Sequence, residues 1–90
     1  MNSASFVSQR PLHSENHVVY ILQCSDGTTY TGCTHDLKDR LSRHNRGSVP
    51  ATKDRRPVVI ITYIVFTDKY KAYAFEKYLK TGSGRALLNK

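Results

Sequence analysis

Cysteine is scarce in this chain: Cys24 and Cys33 are the only two, and their spacing suits neither a disulfide framework nor a metal cluster. Free thiols in a reducing compartment are the expectation. No apolar run reaches membrane-spanning length, and no charged n-region followed by an apolar h-region is present, so a cytoplasmic protein with no membrane contact is expected. No Ser/His/Asp order, GxxxxGK[ST], HExxH or CxxC occurs, and the GSGR stretch at 82–85 follows a helix where a phosphate loop would precede one. Nothing points to an organic cofactor. His13 and His17 have no partner at ligand spacing. Acidic side chains are few as well: seven Asp and Glu face 14 Lys and Arg, for a net charge of +7 on 90 residues. That excess, together with six tyrosines, favours a polyanionic partner, nucleic acid above all. A solvated basic surface is the plainer alternative.

Ninety residues with 39% hydrophobic content make one small domain, near the lower size limit for folding without staples. Residues 1–16 show no sustained period and are expected to form a flexible tail, leaving 17–90 as the domain. Val18 to Cys24 is aliphatic and β-branched, and Thr28 to Cys33 is rich in Thr and Tyr, so both read as strands. The loop between them decides the geometry. A two-residue Asp-Gly turn would put Tyr20 and Tyr30 on opposite faces. A three-residue loop, Ser25 and Asp26 in a type I turn with Gly27 left-handed, sets Leu22 opposite Tyr30 and Tyr20 opposite Gly32. The two tyrosines then share a face as diagonal neighbours. Cys24 and Cys33 fall on opposite faces.

Helical spacing follows over Leu37–Arg46, with caps among Thr34–Asp36 and a stop at Gly47. Leu37, Leu41 and His44 form its inward stripe, bordered by Arg40. Ser48–Arg56 is a polar, basic, Pro-containing loop whose Lys53, Arg55 and Arg56 would be free to meet phosphates. Pro57–Phe66, PVVIITYIVF, is apolar on both faces and is expected to be a strand covered on both sides. A second helix, capped by Thr67 or Asp68, runs to about Lys80, with Ala72, Phe75 and Leu79 as its apolar stripe. The tail from Ser83 reads as a short third helix.

Two features break these patterns. Glu76 lies inside an apolar stripe, where a carboxylate is costly unless it is paired or binds a metal. It is either functional or a rim residue paired with Lys77, Lys80 or Arg40. Arg40 and His44, one helical turn apart, could hold a phosphate between a planar fork and an imidazole donor, or could be a surface Arg beside a core-edge His. Tyr20 and Tyr30 could equally be packing residues.

The segments VVY at 18–20, YTG at 30–32, CTHDLKDRLSRHNRG at 33–47 and AYAFEKYLKTGSGRALL at 72–88 resemble the GIY-YIG nuclease superfamily, in its small stand-alone bacterial form. The resemblance runs from about His17 to the C-terminus. It implies an α+β fold, a small three-stranded antiparallel sheet flanked by helices in the order β-β-α-β-α-α. It places the two signature tripeptides on Val18-Val19-Tyr20 and Tyr30-Thr31-Gly32, the helix arginine on Arg40, the following histidine on His44 and the metal-binding glutamate on Glu76. Val18, Val19 and Thr31 depart from the family letters without removing a polar function. Cys33 stands where some relatives have lysine, and Asn89 is the one candidate for an asparagine that many members carry.

The implied activity is metal-dependent hydrolysis of DNA phosphodiesters, DNA in preference to RNA, in repair or processing of structured DNA. One Mg²⁺ or Mn²⁺ would sit on Glu76. Tyr20 would be general base or holder of the attacking water, tuned by His44; Tyr30 would bind the phosphate or support Tyr20, and Arg40 would meet the developing charge. Lys53, Arg55, Arg56, Lys77, Lys80 and Arg85 would contact nucleic acid, and a protein partner could add specificity. A binding module without turnover and a basic protein-interaction subunit are the alternatives.

Overall fold

The turn at Ser25-Asp26-Gly27 closes strands β1 (His17–Cys24) and β2 (Thr29–Thr34) with Gly27 at φ 87°. The Gly27 N–H donates to the Cys24 carbonyl at 3.0 Å, and the Cys24 N–H donates to the Thr28 carbonyl at 2.8 Å. Asp26 Oδ1 accepts both the Thr28 N–H, at 3.0 Å, and its hydroxyl, at 2.6 Å. This is the three-residue loop, and it sets the register the tyrosines need: Leu22 opposite Tyr30 and Tyr20 opposite Gly32.

Helix α1 (Leu37–Arg46) starts where Asp36 accepts the Asp39 N–H at 3.1 Å. It ends at Gly47 with φ 82°, which lets the N–H groups of Gly47 and Ser48 reach the His44 and Arg43 carbonyls. Asp68 caps α2 (Lys69–Leu79) through the N–H groups of Tyr70 and Lys71. Between the helices, a 3₁₀ turn at Lys53–Arg55 leads into β3 (Val58–Phe66), which pairs antiparallel with β1. The sheet order is β2-β1-β3, so β1 is central. A register shift at Ile21/Leu22 leaves Ile61 unpaired.

Two cores result, one on each face. Tyr20, Leu22, Cys24 and Val58 pack under Leu37 and Leu41 of α1, while Val19 and Ile21 pack under Ala72, Phe75 and Leu79 of α2. The α+β architecture is as expected. β3 departs from expectation. It is an edge strand, with Val59 61%, Ile61 53% and Tyr63 55% exposed. The helices lie over β1 and β2, and hydropathy along a strand does not reveal its place in the sheet.

The computed structural model describes residues 16–82 and Gly84. Arg85, Asn89 and most of the expected third helix lie outside them, as does the expected tail except for its last residue. That residue, Asn16, is buried at 5% exposure directly before β1. Among the described residues no helix is long and apolar enough to cross a membrane.

Candidate active site

Tyr20 is carried on the central strand, and α1 brings His44 down onto it. The Tyr20 hydroxyl oxygen lies 2.8 Å from His44 Nε2, and His44 Nδ1 lies 2.7 Å from the Thr52 hydroxyl. Tyr20, His44 and Thr52 each have 0% exposure. Tyr30 flanks the pair, its ring centroid 6.3 Å from that of Tyr20 and 5.2 Å from the imidazole. Burial, followed by the nearby Tyr30, pushes the Tyr20 pKa up to about 12; Arg40 opposes that rise and Glu76 adds to it. Burial, helped by the Arg40 charge, holds the His44 pKa below its ordinary value. At neutral pH the pair is therefore a protonated phenol facing a neutral imidazole.

Gly32 makes this packing possible. A Cβ there would fall 2.5 Å from Tyr20 Cζ and run into the hydroxyl of a fully buried ring. Gly32→Ala is expected to push Tyr20 away from His44 and to cost about 1–3 kcal/mol of stability, read as a lower denaturant midpoint at unchanged m-value. A midpoint equal to that of the unaltered chain would show that Tyr20 yields freely.

Glu76 reaches this group from α2. Its charge raises the pKa values of both Tyr20 and Cys33, whereas Arg40 lowers both. Glu76, Arg40, Tyr20 and Cys33 thus form one electrostatic neighbourhood. Glu76 Oε2 pairs with Lys80 Nζ at 3.0 Å, and the same ammonium lies 5.9 Å from the Tyr30 ring centroid. The question left open by the sequence is answered in favour of Lys80 as the partner. Lys80 thus lies beside both Glu76 and Tyr30. Because Tyr20 has no exposed surface, water meets its hydroxyl only when neighbouring side chains shift.

Among the described residues no group of three or more His, Cys, Asp or Glu could enclose a metal. A lone, partly exposed carboxylate fits an ion that keeps most of its waters and takes its other oxygens from substrate phosphates, as Mg²⁺ does. It does not fit a caged, zinc-type ion.

The basic loop differs from expectation. Arg55 donates to the Ala51 carbonyl at 2.7 and 3.1 Å and to the Thr28 hydroxyl at 2.6 Å. Arg56 donates to the carbonyls of Lys53, at 2.9 Å, and Asn45, at 3.4 Å. Both arginines brace the loop against the hairpin and α1, while Arg56 stays exposed and each guanidinium keeps N–H donors beyond those these bonds use. Orphan loop carbonyls attract the nearest guanidinium, and composition does not show that competition. Lys53 and Lys77 are exposed and make no ion pair among the described residues. Thr52 is the site residue the sequence did not reveal. It sits in a polar loop with no period, and burial there follows from the loop folding back over α1.

A family model described as the GIY-YIG catalytic domain matches residues 16–89. The chain belongs to the GIY-YIG family. Membership carries nuclease-type function in general terms. Among GIY-YIG relatives, a UPF0213 protein of Staphylococcus aureus strain Mu3 is 41% identical over 68 residues, which is 74% of this chain and 83% of that protein. The strain Mu50 protein gives the same figures: 41% over 68 residues. The solution NMR structure of a UPF0213 protein from Bacillus halodurans superposes with a TM-score of 0.53 at 34% identity, over 81% of each chain.

Proposed function

We propose that this protein is a metal-dependent endonuclease that hydrolyses phosphodiester bonds in DNA, with repair or processing of structured DNA as its setting. The observation that carries this reading is the Tyr20–His44 contact of 2.8 Å between a protonated phenol and a neutral imidazole, beside Arg40 and Glu76. Such a pair is arranged to move a proton. As water attacks phosphorus, its proton passes to the Tyr20 oxygen while the Tyr20 proton passes to His44 Nε2. The bond from phosphorus to the leaving oxygen breaks, and that oxygen takes a proton from solvent. Arg40 faces the charge that builds on the non-bridging oxygens, and Tyr30 orients the phosphate. Glu76 would hold one Mg²⁺ or Mn²⁺, which when bound polarises the phosphate and the leaving oxygen. Substrate binding would have to shift the side chains around Tyr20 for water to reach its hydroxyl.

The test is incubation of the purified protein with nicked, flapped, branched and linear DNA, with Mg²⁺, Mn²⁺ or chelator. Cleavage of at least one structured DNA, lost with chelator, is the expected result. No cleavage of any substrate, with salt-sensitive binding kept, would replace this reading with a binding module. Exposed Lys53, Lys69, Lys71 and Lys77 supply phosphate contacts without base readout. DNA affinity is accordingly expected to fall by about 10²–10³ between ~50 and ~200 mM salt, with little sequence preference. A fluorescence-anisotropy titration that finds a flat salt response would remove the phosphate-contact model.

A further inference from the structure

We propose that Thr52 is a positioning residue: its hydroxyl oxygen accepts the Nδ1–H of His44 and so keeps Nε2 open to receive the Tyr20 proton. The inference rests on the proton-relay reading above. It follows from counting donors and acceptors in a closed space. The Tyr20 hydroxyl is fully buried, and among the described residues His44 Nε2, at 2.8 Å, is the only hydrogen-bond acceptor within its reach. The other polar neighbour that acts on it is Arg40, and a guanidinium can only donate. A phenol keeps its proton at neutral pH, so that proton has one place to go, the lone pair of Nε2. A neutral imidazole that accepts at Nε2 carries its hydrogen on Nδ1. That hydrogen points at Thr52 Oγ1, 2.7 Å away and equally buried.

Either tautomer leaves one buried hydroxyl hydrogen without an acceptor among the described residues, that of Thr52 in the assigned form and that of Tyr20 in the opposite one. The acidity of the two hydroxyls decides: a phenol is a far stronger donor than an aliphatic alcohol, so Tyr20 donates to Nε2 and Thr52 is left to accept. Thr52 therefore acts through His44 and touches no substrate. The 3₁₀ turn that begins at Lys53 and the Val49 carbonyl, which accepts the Thr52 N–H at 3.1 Å, fix its place in the loop. The bracing of that loop by Arg55 and Arg56 gains a purpose, since it holds Thr52 against α1.

The test reads the tautomer directly, by long-range ¹H–¹⁵N correlation of the histidine rings in labelled full-length protein, with cleavage measured alongside. The unaltered chain is expected to show a protonated Nδ1 and an unprotonated Nε2 for His44. Thr52→Val keeps the shape and removes the acceptor. It should shift His44 toward the Nε2–H form and slow cleavage about 10–100-fold, with KM for DNA little changed. Thr52→Ser, which keeps the oxygen, should restore both the tautomer and the rate. An Nε2-bound hydrogen in the unaltered chain, or a tautomer indifferent to Thr52→Val, would overturn the proposal. The unaltered spectrum alone can do so, and a Thr52→Val chain that fails to fold leaves the test intact. A tautomer as assigned in a protein that cleaves nothing would overturn the nuclease reading while leaving the role of Thr52 standing.

Discussion

Glu76→Gln is expected to reduce cleavage by about three orders of magnitude or more, since a metal ion acting on a phosphoryl oxygen contributes several kcal/mol and each ~1.4 kcal/mol is tenfold. The substitution keeps the shape of the side chain and removes its charge, so the change is electrostatic. Glutamine cannot hold the divalent ion at this site, where no second described carboxylate stands in. It also releases Lys80, whose ammonium sits 3.0 Å from Glu76. That pair is one helical turn long and part-exposed, worth only about 0.3–0.5 kcal/mol, so the fold should survive nearly unchanged. The measurement is single-turnover cleavage with Mn²⁺, beside a calorimetric titration of Mn²⁺ into protein and DNA. Unchanged cleavage in Glu76→Gln would sink the assignment of the metal to this residue.

Tyr20→Phe is expected to cost about 10²–10⁴ in rate, the usual contribution of a positioned acid–base group. The ring stays, so the packing of β1 under α1 stays with it; the lost hydroxyl leaves His44 Nε2 without its partner at 2.8 Å. The pH profile gives the more selective signature. With its pKa pushed up to about 12, Tyr20 keeps the proton it hands to His44 across the neutral and mildly alkaline range. The rate of the unaltered protein should therefore stay level over the neutral to mildly alkaline range, where the relay has both its donor and its acceptor. On the acid side, the lowered His44 pKa keeps the imidazole neutral, and able to accept, until pH drops below the ordinary histidine value of about 6.5. The rate should fall once His44 is protonated, and phenylalanine at 20 should remove that fall. Should Tyr20→Phe keep both the rate and the fall, another group is the base.

Much of the fold is written locally. Gly27 and Gly47 supply the left-handed positions, Asp36 and Asp68 the caps, and the three-residue loop sets the strand register, because each depends on a few adjacent residues. The Tyr20, Tyr30, Arg40 and His44 grouping is legible for the same reason: one hairpin and the helix after it contain all four. Glu76 is legible as an anomaly, a charge in an apolar stripe, and its i,i+4 spacing to Lys80 already names a candidate partner. What stays hidden depends on how segments return. Thr52 is buried because its loop crosses α1, Arg55 and Arg56 donate to loop carbonyls, and β3 lies at an edge that its hydropathy does not announce.

The Tyr20 and His44 side chains are among the largest that are fully enclosed, and Thr52 joins them. In most domains the reactive groups sit on loops above a separate scaffold; here they are part of what is scaffolded. Heat inactivation and unfolding should therefore share one midpoint, with no window in which a folded but disarmed protein accumulates. Laboratory evolution toward new substrates meets the same limit. Changes of side-chain size at Tyr20, His44 or Thr52 put survival of the chain at risk, and the rim of Cys33, Arg40, Glu76 and Lys80 leaves more room for variation.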